Sequence, residues 1–223
     1  MAAIPSSSSA TPSVRFRARL LDALLPIAAE TGWTPESLRA AAKAAGLSEG
    51  EMMLAAPRGV LDMIDAFAEW ADDAMVHALE ARNLLAMKVR ERVRTAVQVR
   101  LEALAPWKAA EAKAVQAMIR PFRAGEGAGF VWRTSDLIWR TIGDRSTDEN
   151  YYSKRALLAG VIGSTTARWL ATEGDDLGPS LDFLDRRIEN IMQFERFKAR
   201  AGPAAAMAVA AVGMAARNLG RRR

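Results

Sequence analysis

The sequence predicts an all-α protein, and three observations carry that expectation. Apolar residues recur at spacings of three and four along most of the 223 residues, the period at which a helix presents one face to a core. No segment alternates apolar and polar residues as a half-buried strand would. Helix starts and stops punctuate the pattern: Thr34-Pro35 and Ser48 stand before apolar runs, and Gly32, Gly46 and Gly143 stand after them.

Taken in order, Val14 to Glu30 places Phe16, Leu20, Leu21, Leu24 and Ile27 on helical spacings, and Gly32 ends the run. Thr34 caps a second helix, which passes through Leu38 and Ala42 to Gly46. Ser48 opens a short third one with Glu49, Glu51, Met52, Met53 and Leu54. Longer helices are expected over Gly59 to Leu79, Glu80 to Leu104, Ala105 to Arg123, Thr134 to Ile142, Thr147 to Thr172 and Ser180 to Ala199. Ser146 with Glu149 forms a capping box before the first of the last pair, and Ser180 caps the second. The stretch RAGEGAGF at 123–130 reads as a flexible connection between helices. A phosphate-binding loop would need a strand before it and a Lys-Ser/Thr at its end, and neither is present.

The charge is unevenly spread. Of the 31 Lys and Arg residues, seven lie in 196–223, where there is no acid, so the rest of the chain carries fewer bases than its 26 acids. The net charge of +5 therefore belongs to a basic tail, a pattern suited to an anionic surface. Zero cysteines exclude a disulfide scaffold, a thiolate nucleophile and a cysteine zinc site. The single histidine, His77, excludes a di-iron centre built on two Glu-x-x-His motifs, and nothing near it forms a nucleophile pattern. No catalytic group, cofactor or metal site emerges.

Three short helices followed by longer ones resemble the architecture of TetR-type regulators, whose second and third helices form a helix-turn-helix. The expected organisation is a disordered leader over 1–13, a helix-turn-helix-like region over 14–58, a longer helical region over 59–201, and a membrane-surface helix over 202–223. DNA reading demands bases on the recognition helix, yet residues 48–56 offer Glu49 and Glu51 and no base at all. The helix-turn-helix is thus read as degenerate, and no nucleic-acid partner is expected.

The apolar face of the fourth predicted helix holds Met63, Phe67 and Trp70 at i, i+4 and i+7, with Trp107 and Trp132 on neighbouring helices. Such a stripe serves core packing in most proteins, but methionine and broad aromatic surfaces also suit an isoprenoid or acyl pocket. Around Gly143, Ile138 ends one helix and the adjacent Tyr151 and Tyr152 begin the next, so at least one tyrosine should reach the surface. From Pro203 to Arg223, Met207, Val212, Met214 and Leu219 accompany Arg217 and Arg221 in a weakly amphipathic run too short to span a bilayer.

The same corner carries a resemblance. Ile138-Trp139, Gly143-Asp144-x-Ser146-Thr147-Asp148-x-Asn150, Tyr152, Arg155-Ala156, Ser164-Thr165-Thr166, Phe183-Leu184-x-x-Arg187 and Met192 stand in the order found in the ubiquinone-biosynthesis accessory lipid-binding proteins, the coenzyme Q protein nine family. This likeness covers about the last ninety residues strongly and the first hundred more loosely. It implies a non-catalytic protein that binds an isoprenoid quinone or phospholipid between helices, with Met63, Phe67, Trp70, Trp107 and Trp132 as candidate lining. It implies that Ile138, Tyr151 and Tyr152 form an exposed patch that docks the demethoxyubiquinone hydroxylase. It also implies a homodimer built on the two long C-terminal helices, where Leu181, Leu184, Ile188 and Ile191 face Leu158, Ile162, Thr165 and Trp169 across a seam. A hairpin of those helices within one chain explains the same seam. The expected location is cytoplasmic, peripheral on the inner membrane face, for a bacterial-type chain. The alternatives are a TetR-type ligand-sensing transcriptional regulator and a structural dimer with a membrane anchor.

Overall fold

The computed structural model describes residues 11–145 and 149–193, with residues 149 and 150 described by their backbone alone. Apart from short 3-10 turns, its elements are α-helices: α1 Pro12–Thr31, α2 Pro35–Ala44, α3 Glu49–Ala55, α4 Val60–Glu80, α5 Val89–Leu104, α6 Lys108–Met118, α7 Ala124–Thr141 and α8 Glu149–Ala171. A ninth, α9, covers 178–193. No strand occurs among the described residues, and no helix there is long and apolar enough to cross a membrane. The predicted box at Ser146, the leader up to residue 10 and the tail with Met207, Val212, Met214, Arg217, Leu219 and Arg221 lie outside the described residues.

Local chemistry explains the N-terminal half well. Thr34 accepts a hydrogen bond from the Ser37 amide at 3.1 Å, with Pro35 in the first turn. Ser48 and Glu51 close a reciprocal capping box, the Glu51 carboxylate accepting from the Ser48 amide at 2.8 Å. Between these helices Gly46 sits at φ +63°, the left-handed turn a side chain resists. α1 lays Leu20, Leu21, Leu24 and Leu25 into the core against α2, α3 and α4. Arg17 and Arg19 donate to the carbonyls of Ala55 at 2.8 Å and Ala45 at 2.5 Å, so two bases beside the helix-turn-helix serve as helix C-caps.

Four boundaries depart from the sequence expectation. The predicted Glu80–Leu104 helix is interrupted: a 3-10 turn at Leu84–Ala86 intervenes, and α5 starts after Lys88, whose amide donates to the Glu91 carboxylate at 2.9 Å. The predicted Ala105–Arg123 helix narrows to α6 between a 3-10 turn at Ala105–Trp107 and a tight turn at 119–123. The glycine-rich stretch is helical, because α7 runs unbroken from Ala124. There Gly127 faces α6 so closely that a Cβ would lie 3.0 Å from the Met118 Cβ. Close helix approach, not flexibility, accounts for that glycine. Ser180 lies inside α9 and is fully buried; the start is set by Asp176, whose carboxylate accepts from the Gly178 amide at 2.8 Å.

Candidate functional site

Two apolar hollows lie between the later helices. The first, about 470 Å³, is a half-open cavity lined by α4, α6, α7 and α8, with Arg100 reaching in from α5. Its volume lies in the range of small-molecule sites. It exists because small residues face one another: Ala68, Ala114, Ala128, Gly163 and Ala167 leave unfilled the space that larger side chains would occupy. Ile64, Val115, Met118, Phe130, Val131 and Ile162 supply the apolar wall.

One end of this cavity is polar. Arg100 donates to Asp72 at 2.7 Å, and Thr134 donates to the same carboxylate at 2.9 Å, all three groups being buried. Beside them Glu111 lines the cavity, and burial pushes its carboxyl up from the ordinary range although Arg100 pulls the other way. An apolar chamber with a few convergent polar groups at one end can seat a ligand that has a long hydrocarbon part and a polar head.

The second hollow, about 540 Å³, is a groove between the start of α5, α7, α8 and α9. Val93, Leu157, Leu158, Val161, Ile188 and Ile191 form its floor, and Lys88, Arg90 and Lys154 stand among its lining residues. Leu184, Leu158, Ile162, Thr165 and Trp169 are buried within the one chain, whereas Ile188 and Ile191 are only half-buried. The intrachain hairpin therefore satisfies much of the predicted seam.

The α7–α8 corner is held by buried charge. Gly143 adopts φ +92°, and the Asp144 amide donates back to the Trp139 carbonyl at 2.9 Å, which ends α7. Arg155 is buried, donates to Asp136 at 2.5 Å and stacks 3.4 Å from the Tyr151 ring centre. Burial alone would raise Asp136, but hydrogen bonds from Arg155 and Tyr151, with the charge of Arg140, outweigh it and hold the carboxyl below its usual range. Ser135 and the Trp139 indole donate to the Arg155 and Lys154 carbonyls at 2.8 and 3.1 Å, fastening α7 to α8.

This packing corrects one member of the predicted patch. Ile138 is 0% exposed, because Thr134, Ile138 and Ile142 fall on the inward face of α7 at i, i+4 and i+8. The surface at the corner is aromatic instead. Tyr152 is 67% exposed; its ring lies 5.0 Å from that of the half-buried Tyr151 and 6.4 Å from that of Trp132. Trp132, expected in the lipid pocket, thus joins the tyrosines.

The other predicted lining residues sit elsewhere. Met63 and Phe67 are sealed in the core, with Phe67 sandwiched between Trp33 at 5.7 Å and Trp70 at 5.8 Å. Trp107 is half-buried in the turn before α6. None of the five lines either hollow. The signal that would have found the cavity was the pairing of Ala124-x-x-Gly127-Ala128 with Gly163-x-x-Thr166-Ala167, small residues at helical spacing on two helices that pack together. Among the described residues no group of His, Cys, Asp or Glu could hold a metal.

Comparisons with known proteins agree with this picture. Residues 124–195 match the COQ9 family model. The mitochondrial ubiquinone biosynthesis protein COQ9 of Rattus norvegicus is 28% identical over 181 residues, covering 78% of this chain and 58% of the relative. The COQ9 proteins of Bos taurus and Homo sapiens are 28% and 26% identical, each over 78% of this chain and over 56% and 57% of their own lengths. The chain resembles the COQ9 proteins, and it spans less than three fifths of these relatives. They are named as mitochondrial, so they do not bear out the expectation of a bacterial-type chain. In fold, the chain is similar to the TetR transcriptional regulator from Nitrosomonas europaea, with a TM-score of 0.63 at 20% identity over 78% of this chain and 97% of that one. That likeness establishes a TetR-like fold.

Proposed function

We propose that this chain is a non-catalytic, lipid-binding accessory protein of ubiquinone biosynthesis, which holds an isoprenoid quinone intermediate and presents it to the demethoxyubiquinone hydroxylase at an anionic membrane surface. The observation that carries the proposal is the apolar cavity of about 470 Å³ with Arg100, Glu111 and Thr134 at one end. The names of the relatives place them in ubiquinone biosynthesis. An isoprenoid tail resists leaving the bilayer because its apolar surface meets water, at about 25 cal/mol per Å². A protein chamber that covers part of that tail lowers the cost of bringing the ring to an enzyme. The Trp132, Tyr151 and Tyr152 corner is the surface offered to that enzyme, and the groove beside Ile188 and Ile191 suits a second copy of the chain. Residues 202–223, with their basic end, supply a membrane anchor.

Mass spectrometry of lipid extracted from purified protein tests the reading. Stoichiometric isoprenoid or phospholipid is the expected result; a lipid-free protein whose thermal midpoint does not move with added quinone would sink it. The TetR-like fold supports a ligand-sensing DNA regulator as a second reading. Against it stand the acidic α3 and the use of Arg17 and Arg19 as internal caps. Titration against duplex DNA separates the two.

A further inference from the structure

We propose that the turn between α6 and α7 inserts into an anionic lipid bilayer and forms the entrance through which lipid reaches the α6–α7–α8 cavity. Three features of the turn point there. Phe122 is 99% exposed and Ile119 is 69% exposed. The Arg123 amide donates to the Arg120 carbonyl at 2.8 Å, closing a turn with Pro121 and Phe122 at its tip. The phenyl ring is therefore held out by a defined turn, where a folded chain gains nothing from leaving it in water.

The groove beside the tip is complementary to anionic headgroups, with exposed Glu126 one turn further along in α7. A groove running past Phe122 is lined by Lys113, Arg120 and Arg123 and by no acidic residue. Neither Arg120 nor Arg123 has an ion-pair partner among the described residues. A short apolar tip between the exposed Arg120 and the half-buried Arg123 matches the layering of a bilayer surface, with hydrocarbon beneath anionic headgroups. The turn also adjoins the cavity: Ile119, Met118 and Ala124 belong both to its flanks and to the cavity wall. A tip seated in the interface would set the cavity rim against the acyl layer.

The inference rests on the lipid-carrier reading, and its test separates the two. Because the chain has no cysteine, one engineered thiol can be labelled without interference. Gly125 is a suitable position, since a Cβ there meets nothing within 4 Å, and it leaves Phe122 intact. Full-length Gly125→Cys carrying an environment-sensitive fluorophore is mixed with vesicles of phosphatidylcholine and phosphatidylglycerol. The emission should shift to the blue, and the shift should be lost when Phe122→Asp or Arg120→Glu is added. Apparent vesicle affinity should fall about tenfold with Phe122→Asp. Because Phe122 touches solvent on nearly all sides, that variant should keep the wild-type thermal midpoint. If the labelled chain sediments with vesicles without a blue shift, the anchor lies elsewhere; the turn proposal fails while the carrier reading stands. A shift that appears with a protein partner and not with vesicles likewise overturns it. If the chain neither sediments with vesicles nor carries lipid, both readings fall.

Discussion

The molecule contains two aromatic clusters of similar make-up and opposite fate. Trp33, Phe67 and Trp70 stack in series between α1, α4 and the start of α6, with the Trp33 indole donating to the Ala110 carbonyl at 2.9 Å. Trp132, Tyr152 and Tyr151 also form a series, but it lies along the outside of α7 and α8, with Tyr152 two thirds exposed. In the first cluster Trp33 and Phe67 are buried in the core and Trp70 is half-buried; in the second the buried Arg155, a charge that must itself be paired, stacks on the Tyr151 ring. Aromatic content alone therefore does not mark a binding surface. What distinguishes the clusters is what lies behind the rings.

The largest effect should come from the sealed cluster. Phe67→Ala removes a ring with 1% exposure and leaves a cavity, at a cost of about 3–5 kcal/mol in urea unfolding. Tyr152→Ala should change stability by less than about 1 kcal/mol, since most of its ring already meets water. Its effect should appear in partner binding, where an aromatic anchor is worth about 2 kcal/mol or more. Equal stability losses for the two variants, or unchanged binding of the proposed hydroxylase partner by Tyr152→Ala, would erase the distinction.

Arg155 links the outer cluster to the body of the protein. Replacing it with alanine leaves the half-buried Asp136 with only Tyr151 and Arg140 to satisfy it, also removes the contact to Asp144, and should cost about 3 kcal/mol. Because Tyr151 stacks on that guanidinium, the loss should also loosen the tyrosines and weaken partner binding. A double-mutant cycle of Arg155→Ala with Tyr152→Ala measures the coupling. Full additivity in affinity for the proposed hydroxylase partner would show that Arg155 stabilises the fold without ordering the surface.

The clusters also show how far the sequence reaches. The Thr34 and Ser48 caps, the Gly46 and Gly143 turns and the inward stripe of Met63 and Phe67 were legible because each depends on residues within one or two turns of chain. The glycines at 125–129 misled because glycine in sequence signals flexibility, whereas Gly127 answers to Met118 on another helix. Ile138 misled for a related reason. Its position near the corner was clear, but which face of α7 turns inward depended on where Ser135 and Trp139 met α8. The cavity stayed hidden because it consists of missing side chains on several helices, and Glu111 gained its role only when those helices came together.

A smaller change should sharpen the contrast between filled and unfilled space. Gly163 lines the cavity, and a Cβ built there meets nothing within 4 Å. Gly163→Leu should raise stability by about 1 kcal/mol, through better helix propensity and filling of the void. Co-purifying lipid should fall in the same variant. A stabilised protein that still carries its full complement of lipid would mean that the ligand sits in the groove between α5, α8 and α9 instead.

The smallest effect belongs to Glu111, and its sign is diagnostic. Burial raises its carboxyl above the usual value, while the neighbouring charges oppose one another, Arg100 lowering it and Asp72 raising it. An acid whose folded value exceeds its unfolded value favours folding in its protonated form. Below the unfolded value, about 4.3, both states are protonated and the group costs nothing. As pH rises through the interval up to the folded value, the native state must either keep a proton that the unfolded chain releases or bear a buried charge, so stability declines and then levels off. Glu111→Gln removes that decline. The variant should match the wild type in thermal midpoint near pH 4 and exceed it at higher pH, while Asp136, whose value is lowered, gives both proteins the usual loss of stability in acid. Thermal melts of the two proteins across this range decide the matter. A gap that stays constant with pH would mean that Glu111 is solvated in the cavity and does not set its polarity.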